Sequence, residues 1–232
     1  MLTIDQMAQS IELAGVGYRT GLERPANTIA GCLARAPVRC LGPHEQLFRD
    51  GDEKTNVYQI VEGAFVLYRL LPNGRRQVTG FAVADDLIGL GAGKTHRCTA
   101  ESSRASRVRP LPAAALHRLA NEDSNLGMRL YDALSQELMT AQDQLMTVGR
   151  LNAAERVATF LLGLSERQGS ANRVELPMTR CDIADFLGLT TETVSRTLTK
   201  LANSNVITRH QGHIRILDSL ALEDIADGSQ VI

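Results

Sequence analysis

The chain has 232 residues, with 25 basic and 26 acidic side chains and no tryptophan, which is room for one large or two small domains. Its ordinary share of apolar and charged residues excludes wholesale disorder, and its near-zero net charge excludes a blanket nucleic-acid coat while allowing a local basic face. No apolar run reaches the roughly 18 residues of a membrane span, and residues 1–30 lack a basic start followed by an apolar core, so a cytoplasmic chain without membrane contact is expected.

Residues 1–30 read as an N-terminal arm, in which Thr3 to Ala14 form one short amphipathic helix before Gly15, Gly17 and Gly21 interrupt the period. Cys32, Cys40, Cys98 and Cys181 are scattered without a CxxC pair, the usage of reduced thiols. From Cys40 to Leu90 short apolar runs alternate with glycine. Leu47-Phe48 precede Gly51-Asp52, and Val57 to Val61 precede Glu62-Gly63. Ala64 to Leu71 then lead through Pro72-Asn73-Gly74 into Gln77 to Val83. Asn-Gly between two such runs signals a hairpin, because both residues tolerate positive φ. Glycines 42, 51, 63, 74, 80 and 89 fall at turn spacing, so residues 31–122 are predicted to be a small antiparallel β-domain, a roll or sandwich.

After Pro110 and Pro112 the period becomes helical. Gly127, Tyr131, Leu134, Leu138, Ala141, Leu145 and Val148 lie alternately 4 and 3 residues apart. Such a stripe serves either a helix packed on its own domain or a seam between two helices. Strict 3–4 alternation over three heptads favours the seam, and residues 123–149 are read as a dimerisation helix about 33 Å long at its apolar core. Gly149 is expected to end it, with Leu151 to Leu164 forming the next helix and Glu155 and Arg156 near its start.

Residues 150–232 carry the functional signal. Thr179 followed three positions later by Asp182 is a capping-box start, and Ile183, Ala184 and Leu187 make one apolar face. Gly188 supplies a tight turn. Thr190 then caps a second helix with Val194, Leu198 and Leu201 facing inward, which makes a helix-turn-helix. Val206 to Arg209, a turn at 210–213 and Ile214 to Leu217 read as a wing hairpin. The second helix leaves Thr191, Glu192, Ser195, Arg196 and Thr199 on its outer face. An arginine there can donate twice to guanine O6 and N7, and Glu192 can accept from a base amino group or orient Arg196 one turn away. Thr191, Glu192, Ser195 and Arg196 are therefore the base-reading candidates; Thr179, Arg180, Thr190, Thr193, Lys200, Arg209, His213 and Arg215 are the backbone-contact candidates. Residues 179–215 hold five basic and three acidic side chains, the local surplus that the whole chain lacks. An isolated Glu–Arg pair four apart is usually an ordinary surface pair; its place at the exposed start of this helix favours the reading role.

With these residues in view, the chain from about Cys40 to its end resembles the Crp/Fnr superfamily of bacterial transcription regulators, most closely its Fnr and FixK branch. Leu189 to Arg196 match the family's E-T-V-S-R recognition helix, and Leu70 to Gln77 and Asp86-Leu87-Ile88-Gly89 resemble its β-roll turns. Arg150 to Leu162 resemble its link into the DNA-binding domain. The resemblance implies an α+β fold: a cyclic-nucleotide-binding-like β-roll, a long dimerisation helix and a C-terminal winged helix-turn-helix. It implies a regulator, not an enzyme. Such a regulator is an activator acting as a homodimer on a TTGA/TCAA-type palindrome in double-stranded DNA and recruiting RNA polymerase, in low-oxygen or related metabolic control, with Glu192, Ser195 and Arg196 on the bases.

Departures from the family pattern bear on regulation. Cyclic-AMP-binding relatives place a Glu after the glycine of the Phe-Ile-Gly turn and an Arg-Ser pair further on. Here Leu90 follows Gly89 and the later stretch is Arg97-Cys98-Thr99-Ala100, so a buried phosphate lacks its cation unless Arg97 slips into register. Cys32 and Cys40 have no third cysteine near them, which leaves a four-thiolate cluster unsupported, and no bound cofactor is expected. Cys181, in the first turn of the first helix beside Arg180, is either a redox-sensitive thiol whose oxidation would repel phosphate or a neutral surface cysteine. His44, His96, His117, His210 and His213 do not form a metal-ligand pattern, which weakens the alternative of a β-barrel metal-dependent enzyme. A Crp-like regulator gated by a small ligand in the roll remains the second alternative.

Overall fold

The computed structural model describes residues 35–91, 93–122, 147–170 and 172–230, together with 32, 128, 131, 134, 135, 138, 139, 141 and 142. The N-terminal arm, Gly127 and Leu145 lie outside the described residues. The chain divides into two compact units, Met1–Arg69 with Thr79–Thr140, and Leu70–Val78 with Ala141–Ile232.

The first unit is the predicted β-roll. The strands of the roll are β1 (Arg39–Leu41), β2 (Gln46–Phe48), β3 (Asn56–Glu62), β4 (Ala64–Leu70), β5 (Arg76–Val83), β6 (Leu87–Ile88), β7 (Thr99–Ser102) and β8 (Ser106–Pro112), of which Leu70 and Arg76–Val78, at the β4–β5 turn, group with the second unit. They form two four-stranded sheets, ordered β1-β8-β3-β6 and β2-β7-β4-β5. Leu41, Phe48, Ile60, Phe65, Ala82 and Val108 make the core, the inward half of each alternating strand. Gly63, at φ +100°, joins β3 to β4 where a Cβ would fall 2.1 Å from Ser106 Oγ, so only glycine passes there. The Asn-Gly hairpin is present between β4 and β5, with Gly74 at φ +78°. Pro110 and Pro112 belong to β8, and a helix begins directly after them, where the sequence period turns helical. β1 pairs only with Ser106 to Val108, so beyond that point one side of β8 is an edge that tolerates proline. The first helix, α1, runs Ala113–Glu122 and buries Leu116 and Leu119.

Of the heptad positions in this unit, Tyr131, Leu134 and Leu138 lie in helical backbone and are exposed, at 66%, 47% and 60%. Ala141 and Val148, in the second unit, are also helical and outward.

The second unit comprises α2 (Ala153–Arg167), β9 (Arg173–Glu175), α3 (Arg180–Leu187), α4 (Thr191–Asn203), β10 (Ile207–His210), β11 (His213–Ile216) and α5 (Ser219–Ala226). Two expectations need correcting. Gly149 does not end a helix, since residues 147–150 are all helical. The break falls at Leu151-Asn152, because Asn152 caps α2, accepting from the amides of Ala154 and Glu155 while Glu155 reaches back to it. α2 therefore starts at Ala153 and ends at Arg167. The wing turn is also tighter than the four residues expected: β10 pairs with β11 up to His210 opposite His213, leaving Gln211-Gly212 as a two-residue turn. β9 adds a third strand to the wing sheet. Leu161, Val174, Leu187, Val194, Leu201 and Leu222 are fully buried and form the hub on which the four helices and the wing pack.

Candidate nucleic-acid interface

α3 begins where the sequence placed it. Thr179 Oγ1 accepts from the Asp182 amide at 3.1 Å, and the Asp182 carboxylate accepts from the Thr179 amide at 2.9 Å and its hydroxyl at 2.7 Å. The helix buries Ile183, Ala184 and Leu187 and closes at Gly188, whose φ of +65° gives the left-handed cap that turns the chain. A Cβ on Gly188 would stand 3.4 Å from Val148 and 3.6 Å from Arg156, so the turn is crowded as well as left-handed. Thr190 caps α4 by accepting from the Thr193 amide at 3.1 Å, and its hydroxyl pairs with that of Thr193 at 2.8 Å. Val194, Leu198 and Leu201 point into the hub. That fixes the rotation of α4, and with it the outward face.

On that face Arg196 donates to Glu192 at 2.6 Å, one turn apart, with side chains 76% and 71% exposed. Screening makes such a pair worth little to stability. Its effect is geometric: the carboxylate holds the guanidinium extended along the helix, with the remaining N–H groups open. Thr191 is exposed beside it and Ser195 is half-buried. Thr199, also half-buried, donates to the Ser195 carbonyl at 2.9 Å and accepts from Arg209 at 3.0 Å, which joins β10 to α4.

The backbone-contact candidates divide. Arg180, Lys200, Arg209 and Arg215 are exposed cations. Thr179, Thr190 and Thr193 have hydroxyls engaged in capping, so their contribution to a phosphate would come from the helix-start amides nearby. His213 stacks on His210 with ring centroids 4.7 Å apart across the wing turn. Cys181 is exposed in the first turn of α3.

Two supporting residues carried no signal in the sequence pattern. Arg156 gives its guanidinium to three carbonyls, those of Leu151 (2.8 Å), Leu187 (2.9 Å) and Val148 (2.8 Å), tying the start of α2 to the end of α3. Arg76 bonds Asp182 at 2.7 Å across 106 positions. Local spacing reveals neither, although Asn152-x-x-Glu155 ahead of an apolar run was a readable start for α2.

The roll was tested as a holder for a cyclic nucleotide. Arg97 is exposed, Cys98 packs on the apolar core, and Thr99 accepts from the Asp50 amide, so none of them offers a buried cation to a phosphate. His96 is buried and stacked on Phe48 at 3.7 Å, and its ring lies 3.1 Å from a Cβ built on Gly89, filling the space beside that turn. Burial, then Lys54, lowers the His96 pKa, while Asp52 opposes them. A cleft of about 250 Å³ nearby is walled mostly by apolar groups, among them Val57, Leu90, Ala113 and Leu116, with Lys54 and His117 also at its wall. At the positions where the family pattern places its phosphate-binding Arg-Ser pair, the residues present do not fit a cyclic nucleotide. Cys32 packs with Val57 and Leu116, Cys98 with the other core cluster and Cys40 is exposed; among the described residues, no group of three or more potential ligands converges on a metal. No helix of the described residues is long and apolar enough to cross a membrane.

Comparison with known proteins adds two family matches: a Crp-like helix-turn-helix domain over residues 155–225 and a cyclic nucleotide-binding domain over residues 38–123. The chain is 41% identical over 186 residues to the nitrogen fixation regulation protein FixK of Bradyrhizobium diazoefficiens, covering 78% of each chain. It is 40% identical over 189 residues to the transcriptional activatory protein AadR of Rhodopseudomonas palustris, covering 80% of this chain and 79% of that one. The solved structure of FixK2 from Bradyrhizobium japonicum superposes with a TM-score of 0.78 at 35% identity, over 82% of this chain and 96% of that one.

Proposed function

The chain belongs to the Crp/Fnr family, in its FixK-like branch, and is a DNA-binding transcription activator of that kind rather than an enzyme; from that premise we propose that it works as a homodimer reading a palindromic operator. The observation that carries this reading is the Glu192–Arg196 pair, held open on the outer face of a helix whose rotation is fixed by its buried side. Arg196 donates to a guanine in the major groove, Glu192 accepts from a base amino group, and Thr191 and Ser195 complete the contact to a TTGA/TCAA-type half-site. Arg180, Lys200, Arg209 and Arg215, with His213 and the amides at Thr179, Thr190 and Thr193, hold the DNA backbone.

Two copies join through Tyr131, Leu134, Leu138, Ala141, Leu145 and Val148. The described members of that stripe are exposed in the single chain, and pairing would bury them. Pairing sets the two α4 helices about one DNA turn apart, roughly 34 Å, which requires a symmetric site. The dimer acts in the cytoplasm, recruits RNA polymerase and serves low-oxygen or related metabolic control, without a cyclic nucleotide or an iron–sulfur cluster. Leu138→Glu tests the assembly: sedimentation should give a single chain, and affinity for a palindromic duplex should fall to that for random DNA. A dimeric Leu138→Glu protein with undiminished operator binding would refute the seam.

Cys181 adds a point of control in this reading. Oxidation to a sulfenic or more anionic form beside Arg180 would repel phosphate. Peroxide should then weaken operator binding by the wild type and leave Cys181→Ser unaffected; equal sensitivity in both ends the idea.

A further inference from the structure

The segment Leu70–Val78 groups with the second unit, and it is braced for that place. The Leu71 amide donates to the Arg75 carbonyl at 2.8 Å, the Gly74 amide to the Leu71 carbonyl at 2.8 Å, and the Arg75 amide to Asn73 Oδ1 at 3.0 Å. From this turn Arg76 Nη1 donates to Asp182 Oδ1 at 2.7 Å, and Gln77 Nε2 donates to the Asp185 carbonyl at 2.8 Å. Both acceptors are on α3.

Asp182 has a side chain only 8% exposed, and its two oxygens are divided. Oδ2 takes the amide and hydroxyl of Thr179, which is the cap; Oδ1 takes Arg76. A carboxylate at this position neutralises the positive end of the helix. That is the end where the exposed Thr179, Arg180 and Cys181 would meet phosphate. Left alone, Asp182 would both bury an uncompensated charge and repel the nucleic-acid backbone from within the same turn. The Arg76 guanidinium cancels that charge and restores a positive helix start. Its field also reaches Asp185, whose carboxyl is raised by burial, pulled back by Arg76 and raised further by Asp182.

We propose that Arg76 is a positioning residue for DNA binding: it touches no DNA, but through Asp182 it fixes the first turn of α3 and sets the charge that turn presents to phosphate. The inference rests on the reading of α3 and α4 as the DNA-binding pair. Because the contact is with backbone charge, losing it weakens cognate and random DNA alike and leaves base preference unchanged.

The test uses the full chain with two fluorescent duplexes, one carrying a TTGA/TCAA palindrome and one of random sequence. Arg76→Met should weaken binding to both by roughly three- to tenfold. Arg76→Lys should recover part of the loss. The neutral double variant Arg76→Met/Asp182→Asn should return close to wild type, since asparagine keeps an acceptor for Thr179 without the charge. Thermal melting of each variant confirms that it is folded at the assay temperature. If the double variant binds as poorly as Arg76→Met, the role is structural and the proposal fails. Arg196→Ala serves as the separate control. If Arg76→Met binds as wild type while Arg196→Ala loses the palindrome, the positioning role falls and the reading of α4 stands. If Arg196→Ala also binds as wild type, both fall.

Discussion

The two units treat their polar groups in opposite ways. In the roll, beside the Gly89 turn, His96 stacks on Phe48, Cys98 joins the core, and Arg97 is left in solvent. In the second unit the interior is settled by Arg156 and two capping boxes, and the charged groups Glu192, Arg196, Arg180 and Lys200 are all at the surface. Beside the Gly89 turn a ring is packed inward, whereas on α4 the charged pair is held outward. The difference teaches that architecture and ligand chemistry are separate: a β-roll matching the cyclic nucleotide-binding domain can carry other side chains at the positions that would hold the phosphate.

That contrast can be broken at the residue each unit depends on. The largest effect is expected at Arg156. Arg156→Ala removes three charge-assisted bonds to carbonyls that no other described side chain is positioned to replace, and should destabilise the second unit by about 3 kcal/mol, seen as a lower melting temperature with loss of DNA binding. Arg196→Ala should do the reverse. Its melting temperature should stay near wild type, because the exposed pair adds little stability, while operator affinity drops by about 1–3 kcal/mol and discrimination relaxes at one guanine in each half-site. The smallest effect is at His96. Burial holds its folded-state pKa below the ordinary value of 6.5, so the folded chain binds fewer protons than the unfolded one. Its contribution to stability is present above that value and is lost as the pH falls below it. Wild type should therefore lose melting temperature on acidification from pH 6.5 more steeply than His96→Phe, and parallel curves would show that the stacked ring is no strain on a protonated state.

How much of this was legible in the sequence follows from the range of each interaction. Thr179 with Asp182, Gly188, and Thr190 ahead of Val194 are local signals, and the helix-turn-helix was readable from them. The Asn73-Gly74 hairpin was readable for the same reason. β9 was not: three residues are too short for alternation to register, and its existence depends on pairing with β11. The strand through Pro110 and Pro112 was obscured because proline is normally a breaker, and only the partial coverage by β1 makes it tolerable. Arg76 was unreadable because Asp182 is brought to it by the fold, and so was the bond from Arg156 to Leu187. Of the interface, the outward face of α4 could be written down in advance, whereas its supports could not. The Thr179 and Thr190 caps were legible, whereas the pairing of the Thr193 hydroxyl with that of Thr190 was not.

The central claim, that two copies present paired Glu192–Arg196 faces to one duplex, is tested most directly by selection from a random pool of double-stranded DNA. The wild-type chain should enrich a palindrome whose half-sites lie one helical turn apart, with a guanine in each half-site whose preference is lost in Arg196→Ala. Enrichment of asymmetric single sites, or of the same symmetric site with equal base preference by both proteins, would contradict it.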